Sequence, residues 1–217
     1  MIGDRLVRTS GILLLLGGVV LAVMEVVTAL AFPGDTAAQA MQAAWTPAFL
    51  LVVLSTMMLL LGTPVLYSRV AGRGGWMAQV GLILLAIMGM TLGVFGNLMQ
   101  ALISPWVASN DPSMLSASTP SPVALSAFFI VGAVMEVLGL VALSIPLLRG
   151  RLQPRWAGGA LALAAVLGIL SFVTTGSSMS SNVWLSLLGA APAVLFAIFF
   201  AGMGWEMLRP SVAESPL

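Results

Sequence analysis

Residues 5–32, RLVRTSGILLLLGGVVLAVMEVVTALAF, decide the fold. Two arginines come first, and an apolar run follows that is long enough to cross a bilayer. About 20 apolar residues span a hydrocarbon core of roughly 30 Å. The run is too long for the apolar region of a secretory leader, which takes about 7–15 residues. It also carries a carboxylate, Glu25, well inside it. It reads as a membrane span.

Working outward, five further stretches repeat the pattern. The six read as 9–32, 46–68, 76–103, 122–148, 156–176 and 183–208. All eight positive charges are arginines, and all fall in alternate gaps. Arg5 and Arg8 precede the first stretch, and Arg69 and Arg73 follow the second. Arg149, Arg151 and Arg155 lie between the fourth and fifth, and Arg209 follows the sixth. The other gaps, 33–44, 104–121 and 177–182, hold only Asp35 and Asp111 as ionisable groups. This is the positive-inside rule applied to an even number of spans. The expected fold class is all-α: a polytopic membrane protein with six transmembrane helices and both termini inside.

Sixty per cent of the residues are hydrophobic and 7% charged, against about 25% charged in soluble domains. Residues 1–217 are therefore expected to form a single transmembrane domain, in a prokaryotic plasma membrane. The polar end, 210–217, is expected to be a disordered tail. The loop 104–121 holds Ser-Pro-Trp, Asn-Asp-Pro and Ser-Thr-Pro-Ser-Pro, which is turn chemistry with little capacity for a core. Six tryptophans mark the ends of the stretches: Trp45, Trp106 and Trp184 outside, and Trp76, Trp156 and Trp205 inside. Indole has an apolar body and one N–H, so all six are expected to anchor in the headgroup region.

The chain has no cysteine, histidine or lysine. Haem, zinc and copper sites lose their usual ligands, and a phosphate loop or Schiff base loses its lysine. A serine nucleophile has no base to activate it. No enzyme activity, cofactor or metal is expected, and a net charge of +1 offers nothing to nucleic acid.

An internal match stands out. VLAVMEVVTALA at 20–31 and VGAVMEVLGLVA at 131–142 agree at seven of twelve positions. A weaker match pairs Trp76 with Trp184, Gly81 with Gly189 and Gly96 with Gly204. Three spans separate the copies, so repeats over 9–103 and 122–208 would run in opposite directions, as inverted repeats do. A chain rich in Leu, Val, Ala and Gly also produces matches by composition alone.

The match pairs Glu25 with Glu136, two carboxyls inside apolar stretches with no cation at membrane depth. A charge at the bilayer centre costs roughly 2.5–3.5 kcal/mol on insertion scales, so desolvation favours the neutral acid. Gly18, Ala22 and Ala29 share a helical face with Glu25; Gly132 and Gly139 share one with Glu136. Small residues allow close helix approach, so both carboxyls are expected to point into the bundle. They are the candidate proton- or cation-coupling residues; the bland alternative is a protonated acid bonding a neighbouring helix.

Asn97, Gln100, Thr174 and Thr175 are candidates for lining a pore or pocket, with headgroup contact as the plainer reading. Hydroxyls at Ser55, Thr56, Thr63 and Thr91 are expected to bond back to their own helices. Pro192 is expected to kink the sixth helix and free the Leu188 carbonyl. Pro64 is placed to act likewise in the second. Glu206 and Arg209 are expected to form a solvated ion pair.

Three functions fit. The first is a transporter or permeation unit whose glutamates couple protons to a small cationic or lipophilic cargo. The second is a non-catalytic accessory or scaffolding subunit of a larger membrane complex; the third is a substrate-capture subunit of a transport machine. The partners these imply are the lipid bilayer, a small-molecule or ion cargo, and a homo-oligomer or larger membrane assembly.

Overall fold

Six apolar runs of this length, each flanked by glycine, proline or arginine, can satisfy their backbone in lipid only as helices. A computed structural model of the chain, describing residues 4–34, 36–71, 74–115, 123–150, 154–175 and 182–209, has that form. The side chains of Arg69, Ala71 and Thr175 are outside the description, as are Asp35, Arg73, Arg151 and the tail 210–217.

The long helices are α1 (Asp4–Ala31), α2 (Trp45–Ala71), α3 (Gly75–Asn110), α4 (Val123–Leu148), α5 (Arg155–Thr175) and α6 (Val183–Leu208). All six are long and apolar enough to cross a membrane, and no strand occurs among the described residues. Gly150, at a φ of 71°, ends α4 in the left-handed conformation that only glycine adopts without strain.

Each helix packs against the ones before and after it, and α6 closes back on α1. Neighbours are antiparallel throughout. A methyl group at Gly11, early in α1, would meet Met207 and the Gly204 carbonyl, late in α6. One at Gly81, early in α3, would meet Leu143, late in α4; one at Gly158, early in α5, would meet Leu147 of α4. Gly62, late in α2, abuts Leu14 of α1. The arginine-bearing ends of all six helices therefore gather at one end of the bundle, here called the inner end.

The neighbour order is unchanged by a shift of three helices, and α1 runs opposite to α4, as a repeat of three spans requires. The close glycine contacts do not carry across. Gly189, the counterpart of Gly81, would meet only the Ser171 hydroxyl, at 3.6 Å. Gly96, the counterpart of Gly204, lies against the Phe129 ring rather than a helix backbone. The inverted relation rests on the sequence match.

Two departures from the sequence reading concern the outer end. The third span does not stop at 103 but continues to Asn110, followed by a 3₁₀ turn at Pro112–Leu115. Pro105 is tolerated because it sits at the first turn of the segment that resumes after a π-helical stretch. This extension packs on a one-turn helix, Ala37–Ala40, between α1 and α2.

Trp45 is the second departure. It is fully buried, not a headgroup anchor, and its ring lies 5.1 Å from Phe32 and 4.6 Å from Phe49. Its Nε1 donates to the Gln100 carbonyl at 2.6 Å, so the indole's polar end is satisfied inside the protein. With Ala40, Ala101 and Ala108 it seals the outer end between α1, α2 and α3. The other five tryptophans are exposed, as anchors are, with Trp184 and Trp76 at 79% and 72%.

Candidate functional site

In α1 the exposed face carries Leu16, Val19, Val23, Val27 and Leu30. Glu25 is two residues from Val23, about 160° round a helix of 3.6 residues per turn, on the side of buried Leu14, Gly18 and Leu21. In α4 the exposed stripe is Val131, Val134, Leu138 and Val141, and Glu136 lies opposite it with Gly132 and Leu143. Both glutamates therefore face the inside of the ring, as their small-residue neighbours led one to expect.

The helices α1 and α4 are not among the closely packed pairs, so the two carboxyls come from opposite sides of the ring. Among the described residues neither carboxyl has a hydrogen-bond partner or a cation. Both residues are only half-buried, although each faces inward. The structural-glue reading, a protonated glutamate bonding a neighbouring helix, has no bond to support it.

Val137, next to Glu136, meets α5 and α6 at one point. A methyl group at Gly168 would touch both the Val137 side chain and the Pro192 ring, at 3.8 Å each. Pro192 is buried, and α6 runs unbroken past it. The inward side of α6 continues with Phe196 and Phe200, whose rings lie 4.7 Å apart. Both rings border a small crevice against Thr56, Leu59 and Leu82, with room for about one water.

The other polar candidates are spent on structure. The Asn97 amide donates to the Gly93 carbonyl at 3.0 Å and the Leu92 carbonyl at 3.2 Å, inside its own helix. Gln100 accepts from Ser104 at 2.7 Å and gives its carbonyl to Trp45. Thr174 is exposed and bonds back to Leu170; the Thr175 side chain is outside the description. Ser55, Thr56, Thr63 and Thr91 all bond back to their own helices, as expected. Arg209 and Glu206 pair at 3.1 Å while remaining exposed.

One feature escaped the sequence reading. Gly89–Gly96 and Met99–Ile103 of α3 are π-helical, a geometry that is rare and concentrated at functional sites. Gly89 and Gly93 lie in or beside these turns and bring α3 against α2: a methyl group at Gly93 would come within 2.6 Å of Thr56.

Among the described residues no group of acidic side chains could hold a metal ion. The arrangement can exchange a proton, or pair with an arriving cation, at either carboxyl. No protein family, curated protein or solved structure matches the chain.

Proposed function

We propose that this chain is a small integral membrane transporter or permeation unit in which Glu25 and Glu136 couple protons to a small cationic or lipophilic cargo. The observation that carries this reading is the two inward-facing, uncompensated carboxyls, contributed by helices on opposite sides of the ring. Ionisable groups at membrane depth are costly, and they persist where they serve a pathway. The charge balance is simple. A protonated pair releases one proton as one monovalent cation binds, so the site never carries an unpaired charge through the bilayer. Pro192 leaves the Leu188 carbonyl without its helical donor and supplies a point at which α6 bends.

The test is proton flux in liposomes holding the full-length protein. Wild type is expected to move protons down an imposed gradient when cargo is present. Glu25→Gln and Glu136→Gln keep side-chain shape, so each is expected to insert and fold while flux falls at least tenfold. Equal flux in wild type and both variants would remove the carrier reading and leave the accessory-subunit reading, which the very short loops favour.

A further inference from the structure

The inward-facing stripes of α4, α5 and α6 change character at a common level. Towards the inner end they are closed: Leu140 and Leu143, Leu161 and Ala165, and Phe196 and Phe200 are all buried. Towards the outer end the same stripes open. Phe129 on α4 is 40% exposed, Phe172 on α5 is 48% exposed, and Gly189 on α6 is exposed. No described residue of α4 before Gly132, of α5 after Ala165 or of α6 before Ala190 is buried. The change falls at the point where Val137, Gly168 and Pro192 meet, beside Glu136. On the other side of the ring the outer end is sealed by Trp45, Phe32 and Phe49.

We infer that α4, α5 and α6 enclose a vestibule, entered from the arginine-free side and floored by Val137, Gly168 and Pro192, that binds a lipophilic monovalent cation. Its walls are apolar and aromatic, and among the described residues of these three helices' outer halves the ionisable group at its floor is Glu136. A hydrated inorganic ion gains nothing from Phe129 and Phe172, and a neutral lipid gains nothing from Glu136. A large organic cation uses both, through apolar burial and through attraction to ring faces and carboxylate. The inference rests on the carrier reading for what the bound cation does next, but not for its binding.

The probe is tetraphenylphosphonium, measured by equilibrium dialysis against the full-length protein in detergent. Saturable binding is expected, weakened at least tenfold in Glu136→Gln and severalfold in Phe172→Ala. Neutral triphenylphosphine oxide is expected not to compete. In the cysteine-free chain, Val137→Cys is expected to react with a membrane-impermeant maleimide from the arginine-free side only. Ala48→Cys, in the sealed half, is expected to stay unreactive from both sides. Absence of saturable binding, equal competition by the neutral compound, or labelling of Val137→Cys from the arginine side alone would overturn the proposal. If Glu136→Gln does not fold, the competition and labelling results still decide. Binding without proton flux would keep the vestibule and remove the carrier; glutamate-dependent flux without binding would do the reverse.

Discussion

Gly18 has no room for a methyl group. A Cβ there would lie 2.5 Å from the Ala197 carbonyl oxygen and 2.7 Å from the Ala201 nitrogen. At Gly204 it would meet the Gly11 carbonyl and the Leu15 nitrogen, each at 2.5 Å. Backbone cannot move aside as a flexible side chain can, so α1 and α6 would have to separate. Gly18→Val and Gly204→Val are each expected to destabilise the protein by about 1–3 kcal/mol, measured by unfolding in detergent. Gly159→Ala serves as the control, since nothing lies within 4 Å of it and stability should not fall. If all three variants behaved alike, close approach would not be what holds α1 to α6. The sequence suggested which glycines share a face with Glu25, but not which helix that face meets. The same limit explains Trp45. Its position at the end of an apolar stretch suits a headgroup anchor equally well, and only the approach of Phe32 and Phe49 buries it.

At the scale of single elements, α3 is the least regular helix. π-turns shift the bonding pattern along the helix, and Asn97 supplies a side-chain donor to two of its carbonyls. Asn97→Leu keeps roughly the same volume and removes that donor. A loss of about 1–3 kcal/mol is expected, together with faster backbone hydrogen exchange over residues 89–97. Unchanged exchange in that segment would mean the amide does not hold the π geometry. Helix existence was legible from length and hydropathy alone, and the ends of α4, α5 and α6 lie close to their sequence bounds. The π segments were not legible, because a glycine every three or four residues is also ordinary helix-packing sequence.

For the whole molecule, the decisive expectation is orientation. The arginine ends share one end of the bundle, and the positive-inside rule puts that end in the cytoplasm. Ser68→Cys, at the end of α2, and Ser109→Cys, near the end of α3, are both exposed positions at opposite ends. A membrane-impermeant thiol reagent added to intact cells is expected to label Ser109→Cys, and to reach Ser68→Cys only after lysis. Labelling of both in intact cells would contradict the six-span topology.

The sequence alone determined that the chain forms six helices and where its charges gather, because hydropathy and arginine placement are local properties read one segment at a time. It also singled out Glu25 and Glu136, since an uncompensated acid inside an apolar run is costly wherever the run is packed. Only the tertiary structure decided that the two acids face into one ring from opposite sides and that α6 closes on α1. It also decided that the outer end is sealed on one side of the ring and open on the other. Those are relations between helices, set by which glycine faces meet and which rings fill the gap, and side chains far apart in the chain must be brought together before they exist.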